Sequence, residues 1–311
     1  MPNINRNNVD NWNTDIERSV DFYNEWFLNF APDTYRKERR SAVKRVRKAF
    51  KTIADGLNLA PSNVDETPEI LAILRQMTCP PLARDRLAGL AKVSTTVVKH
   101  FEDGGKESPV CRWESILAVI KRLIDVDLLP WLAEGVRPKT TARRRAMLVV
   151  ADRLCGALSD PVIRNEQEKR QFRAIADFLT AKGYSLATRT SFETMRPGEF
   201  SFHLNIPVRH GTQSGMMVNI PVDVAILPRT ARQGDLPLMI EAKSAGDFTN
   251  VNKRRKEEAQ KMMQLRNTYG SVVFILFLCG YFDSGYLGYE AAEGIDWIWE
   301  HRISDMEALG L

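Results

Sequence analysis

Between residues 216 and 226 every second side chain is aliphatic: Val218, Ile220, Val222, Val224 and Ile226. Strand side chains alternate between faces with period 2, so this spacing predicts a β-strand with one apolar face and argues against a helix there. A single acid, Asp223, interrupts the run and is expected to point away from that face. The apolar residues Leu236-Pro237-Leu238-Met239-Ile240 lead into Glu241-Ala242-Lys243, where Glu241 and Lys243 share one face of a predicted strand. Residues 272–279 are apolar without interruption, as in a strand covered on both sides.

Helices frame these strands. Phe172, Ile175, Ala176 and Leu179 fall on one face of a predicted helix over 166–181, with Gly183 as its stop. A strand is predicted over 200–206, a loop over 228–235 and a second helix over 252–269, ended by Gly270. The order is helix, three strands, helix, strand. Upstream, Val43, Val46, Phe50, Ile53 and Leu57 recur at spacings of three and four, marking a helix face. Helices are also predicted over 69–77, 82–90, 95–101, 113–124 and 141–158, and Ser159-Asp160-Pro161 breaks the pattern. The expected fold class is therefore α+β: an all-helical N-terminal domain over 1–160 and an α/β core over 161–311.

Composition narrows the function classes. Apolar content of 44% supports packed cores. Cys79, Cys111, Cys155 and Cys279 are far apart, which argues against a zinc site or disulfide framework. The polar N-terminus lacks a signal-peptide core, and the longest apolar stretch, 272–282, falls short of the ~18 residues of a membrane span. The expectation is a cytoplasmic protein with no membrane partner. A net charge of +5 and a pI near 9.0 hint at a polyanionic partner.

Pairing the strands of Asp223 and Glu241 brings two carboxylates and the Lys243 ammonium to one sheet edge. Two like charges together are costly without a cation. Two hard oxygen ligands beside open space suit Mg²⁺, which keeps several waters and binds through one or two carboxylates plus a phosphate. The plainer alternative is a surface ion pair between Glu241 and Lys243, with Asp223 as a strand-end turn former.

This arrangement resembles the PD-(D/E)xK nuclease superfamily. The stretch Glu241-Ala242-Lys243-Ser244-Ala245-Gly246-Asp247-Phe248-Thr249-Asn250, then Leu278-Cys279-Gly280-Tyr281-Phe282 and Gly288-Tyr289-Glu290-Ala291-Ala292-Glu293-Gly294-Ile295-Asp296-Trp297, is similar to the XamI-like type II restriction endonucleases. The similarity runs over roughly residues 166–311. It implies a PD-(D/E)xK nuclease core that cuts both strands of a short, palindromic DNA site with Mg²⁺, a homodimer, and a cognate DNA methyltransferase as genetic partner. It further implies that Asp223 and Glu241, with the Ala242 carbonyl, ligate the metal. Lys243 would orient or help deprotonate the attacking water and stabilise charge on the phosphate. Val222 separates Pro221 from Asp223, a departure from the motif's name. Glu166, Glu168 and Glu193 are candidates for a further acidic group.

Basic segments supply candidate contacts to double-stranded DNA. Lys253, Arg254, Arg255 and Lys256 stand near a helix N-terminus, where cations oppose the macrodipole unless an anion such as a phosphate is near. The alternative is a later helix start with the cations in a solvated loop. Arg40, Lys44 and Arg47 lie in a basic run over 36–51 opposite the apolar stripe, which reads as a phosphate-binding or a solvated face. Residues 82–104 look like a helix-turn-helix with Ser94 as N-cap and Lys99 on the second helix, or like two packed helices. Two other classes fit these features: a non-catalytic helix-turn-helix regulator and a structure-specific repair nuclease.

Overall fold

A computed structural model describes residues 3–65, 67, 69–108, 112–188, 191–209, 217–249 and 255–311, the side chains of residues 255 and 256 excepted. The elements are α1 (Trp12–Thr52), α2 (Pro61–Asp65), α3 (Ile70–Gln76), α4 (Arg84–Ala91), α5 (Thr95–Glu102), α6 (Glu114–Leu123), α7 (Trp131–Glu134), α8 (Thr140–Ala181), β1 (Ser185–Leu186), β2 (Glu199–Arg209), β3 (Met217–Leu227), β4 (Leu238–Ala245), α9 (Arg255–Tyr269), β5 (Phe274–Gly280), α10 (Ser284–Ala292) and β6 (Asp296–Trp299). The expected α+β class holds. The chain divides into two compact units, Met1–Phe30 with Arg164–Leu311, and Ala31–Ile163.

The second of these units is helical. The predicted stripe is its spine: Val46 and Phe50 of α1, and Ile53 just past its end, are fully buried with Ile70, Leu74, Val98, Phe101 and Ile116, whereas Leu57, beyond the helix, is exposed. Ser94 caps α5 as expected, its Oγ accepting from Val97 N at 3.3 Å. Val98 and Phe101 face the core, while Thr95, Thr96, Lys99 and His100 are exposed. Glu102 is buried between Arg75 and Arg84, each 2.6 Å away, and ties α5 to α3 and α4.

The other unit holds a six-stranded mixed sheet in the order β1-β2-β3-β4-β5-β6. β2, β3 and β4 are antiparallel neighbours, whereas β4, β5 and β6 run parallel. Parallel neighbours need a crossover, and α9 and α10 supply the two connections. One sheet face buries Met239, Leu276 and Leu278 with Met262 and Leu265 of α9 and Leu287 of α10. The opposite face buries Ile240, Ile275 and Phe277 with Ile175 and Leu179 of α8. All seven residues of β5 are buried, which is why its sequence does not alternate.

Three expectations are corrected. Pro161 does not end a helix: α8 runs through it for 42 residues, and the unit boundary falls at Ile163–Arg164 within the helix. An interior proline costs roughly 3 kcal/mol locally. Burial of Leu154 and Cys155 on one side of it, and of Ile175 and Leu179 on the other, outweighs that cost. The first thirty residues, assigned to the helical domain, belong with the sheet. Buried Asp296 holds them there, accepting hydrogen bonds from the backbone N–H groups of Ile4, Asn5 and Arg6. Finally, the even positions of β3 do not share one face. Val222 joins the α9 side of the core, Val224 and Ile226 the α8 side. On β2 the change is parallel: Phe200 packs on the α8 side, Leu204 and Ile206 on the α9 side. His203, with φ of 52°, stands at the switch. A left-handed residue inside a strand rotates the downstream residues about the strand axis.

Candidate active site

The β3–β4 ladder runs through Ile226↔Leu238, Ala225↔Met239 and Val224↔Ile240, and beyond that level β3 pairs only with β2. Asp223 is the next residue. Its Oδ2 accepts from Ala242 N at 2.8 Å, so a side chain takes over from the ladder where the strands part. Glu241 and Lys243 project from β4 on the α9 side, as alternation from Met239 requires. Glu241 is 3% exposed, and its Oε1 accepts from Lys243 Nζ at 3.0 Å and from Lys261 Nζ at 2.7 Å. Glu241 Oε2 is buried with no hydrogen-bond partner among the described residues. Glu258, on α9, is equally buried and lies 2.9 Å from Lys243 Nζ. From the opposite face, Gln171 of α8 donates to the carbonyls of Lys243 and Phe277, at 3.3 Å each, pinning the β4–β5 seam under the site.

This geometry sets the charge states. Burial, and next the Glu241 charge, raise the Asp223 carboxyl above the ordinary range, although the Ala242 N–H and both lysines oppose them. Burial alone would push the Lys243 ammonium down, but Glu241 and Glu258 outweigh it and the net shift is upward. Lys243 is therefore held protonated. An orphaned buried carboxylate oxygen costs about 1–3 kcal/mol unless something donates to it or coordinates it. Glu241 Oε2 and the second oxygen of Asp223, to which no described residue donates, form a hard donor pair suited to a divalent cation. No group of three His, Cys, Asp or Glu side chains able to hold a metal occurs among the described residues.

Asp223, Glu241 and Lys243 thus come together as expected. Lys253 and Arg254 lie outside the described residues; Arg255 and Lys256 open α9, and their side chains lie outside them too. Arg40, Lys44 and Arg47 are exposed on α1, and Lys99 is exposed on α5. Of the acids considered, Glu166 pairs with Arg173, Glu168 is exposed, and Glu193 accepts from Ser191. The third carboxylate at the cluster is Glu258 instead. Glu258 and Lys261 were not singled out from the sequence, yet a signal existed. Glu258, Met262 and Leu265 are the buried stripe of α9 at helical spacing, with a charge where an apolar residue is expected. Trp297 and Trp299 are fully buried core residues of β6.

Comparison with known proteins gives the family. The family described as XamI restriction endonuclease matches residues 56–299. The chain is similar to the type II restriction enzyme SalI of Streptomyces albus G, with 46% identity over 318 residues that span 99% of each chain. No solved structure matches. Acidic residues and a lysine gathered where the central strands β3 and β4 part, and likeness along nearly the whole length to a type II restriction enzyme, lead to one assignment: the chain belongs to the XamI restriction endonuclease family and is a site-specific deoxyribonuclease.

Proposed function

We propose that the protein makes Mg²⁺-dependent double-strand cuts at a short palindromic DNA site, with Asp223, Glu241 and Lys243 as the hydrolytic centre of a PD-(D/E)xK core. The observation that carries this reading is the meeting of Asp223 with Glu241, whose Oε2 is buried without a partner, beside the Lys243 ammonium. Asp223, Glu241 and the Ala242 carbonyl would hold the ion. When bound, Mg²⁺ supplies positive charge at the phosphate and lowers the pKa of a coordinated water. Lys243, paired with Glu241 and Glu258, acts as a positive charge for the developing phosphorane and orients the attacking water. A palindrome read twice calls for a twofold dimer. A cognate methyltransferase would protect host DNA, and the reaction would take place in the cytoplasm.

Membership in an endonuclease family sets aside the non-catalytic regulator. Incubation with unmethylated bacteriophage DNA tests the rest. Discrete fragments in Mg²⁺ and none with chelator are expected; nicking confined to branched or mismatched DNA would favour the repair nuclease.

The exposed α1 cations are proposed to bind phosphate. Arg40, Lys44 and Arg47 are spaced by four and three residues and so share one helix face. Each phosphate contact adds about 0.9 to the slope of log K against log salt. Replacing all three by glutamine is expected to lower that slope by up to about 3, measured by fluorescence anisotropy across a salt series. An unchanged slope would mean that this face is merely solvated.

A further inference from the structure

α9 sends two charged side chains to the cluster, and their surroundings differ. Of the four groups joined there by ion pairs Lys261 is the most open: its side chain is 21% exposed, against 15% for Lys243, 4% for Glu241 and 1% for Glu258, and Asp223 beside them is half-buried. Lys243 is held between two buried carboxylates, at 3.0 and 2.9 Å. Lys261 Nζ bonds one carboxylate oxygen, Glu241 Oε1 at 2.7 Å, and the Pro221 carbonyl at 3.2 Å. An ammonium has three N–H donors. Those two acceptors therefore leave one donor of Lys261 without a partner among the described residues, on a side chain that is 21% exposed.

Charge points the same way. Asp223, Glu241 and Glu258 with Lys243 and Lys261 leave the protein's own groups one charge negative in total. A divalent cation makes the site one charge positive; without Lys261 it would be neutral. A phosphodiester is a monoanion that gains a second negative charge as it is attacked, so only the version with Lys261 offers it net attraction. Lysine suits this task as a compact charge on a flexible stem, able to turn from a carboxylate to a nearby phosphate.

Resting on the nuclease reading above, we infer that Lys261 is a second catalytic cation, which contacts the scissile phosphate from α9 while Lys243 stays locked between Glu241 and Glu258. Glu241 Oε1 is its resting partner, and the phosphate is its working one.

The test couples Lys261 to the charge it is said to meet. Once the cut position is mapped, a duplex is made with an uncharged methylphosphonate at that linkage. Its affinity is compared with that of the native duplex, in Ca²⁺ as a non-cleaving ion, for wild type, Lys261→Met and Lys261→Arg. Wild type is expected to lose about tenfold more affinity than Lys261→Met when the phosphate charge is removed, a coupling of about 1.4 kcal/mol. Lys261→Arg is expected to restore most of that difference. Single-turnover cleavage of the native duplex should fall at least about a hundredfold in Lys261→Met. An equal methylphosphonate penalty in wild type and Lys261→Met would overturn the inference and leave Lys261 as a structural counter-ion of Glu241. Should the Met variant melt below the assay temperature, Lys261→Gln, which keeps donors for both acceptors without the charge, replaces it under the same criterion. Glu241→Gln separates the two levels: if that variant cuts at the wild-type rate the assignment of the whole site fails, whereas if it is inactive and only the coupling is missing, the Lys261 inference alone fails.

Discussion

Glu241→Gln is expected to reduce single-turnover cleavage by at least about a thousandfold while sequence-specific binding survives. Glutamine keeps the shape and one oxygen, so the bonds from Lys243 and Lys261 to Oε1 can persist. What disappears is the buried, unpartnered Oε2 and its charge, the part of the side chain free to take a cation. Gel shift in Ca²⁺ alongside cleavage in Mg²⁺ checks the split; wild-type cutting by the variant would remove the metal assignment altogether. Asp223→Asn should be equally inactive but different in stability. Burial, and next the Glu241 charge, hold the Asp223 carboxyl above its unfolded value, so the folded state favours its protonated form. The corresponding stability is fully present below the unfolded pKa, about 3.9, and is lost as pH rises through the raised folded value. At pH 7 to 8 in chelator, Asp223→Asn should therefore melt above wild type, and its advantage should vanish in acid. For the same reason, wild-type cleavage should begin to fail on acidification at a higher pH than an ordinary aspartate would give. A lower melting temperature for Asp223→Asn at pH 7 would show that ionised Asp223 is not costly.

The second large effect is one of stability. Asp296 is 2% exposed and accepts four backbone N–H bonds. Ile4 donates to Oδ2 at 2.6 Å; Asn5, Arg6 and Trp297 donate to Oδ1 at 3.0, 2.9 and 2.8 Å. Bonds to a charged acceptor are worth about 1.5–3 kcal/mol each, and a donor left buried without a partner costs about 1–3 kcal/mol. The N-terminal segment can peel away and rehydrate its own groups, which caps the loss. Even so, peeling gives up the bonds of Asn5 to the Trp297 carbonyl and Asp305, and the bond from Trp12 Nε1 to the Asn5 carbonyl. Asp296→Ala is expected to cost roughly 4 kcal/mol in urea denaturation, with fast hydrogen exchange at residues 4–6. Asp296→Asn keeps one acceptor oxygen for the three donors that share Oδ1 and should cost about half as much. A loss under about 1 kcal/mol for the alanine variant would mean that the N-terminus contributes little to the fold.

Much of the architecture was legible in short-range patterns, for a physical reason. Side-chain spacing within one element is set by the element's own period, so the strand of Asp223, the buried β5, the α1 stripe and the Ser94 cap could all be read from neighbours along the chain. The pairing of Glu241 with Lys243 on one face follows from the same period of 2. What no local period contains is which elements meet. Lys261 reaches Glu241 across 20 residues of chain through the α9 crossover, and Asn5 reaches Asp296 across 291. The change of face along β2 falls at His203, whose left-handed backbone torsion strand patterning does not register. The sequence by itself therefore determined the kinds of element and the type of chemistry. Only the tertiary structure decided that Asp223 meets the Ala242 N–H, that Glu258 and Lys261 of α9 pair with Lys243 and Glu241, and that the first thirty residues belong to the sheet, because long-range closure depends on how buried surfaces fit together and not on spacing along the chain.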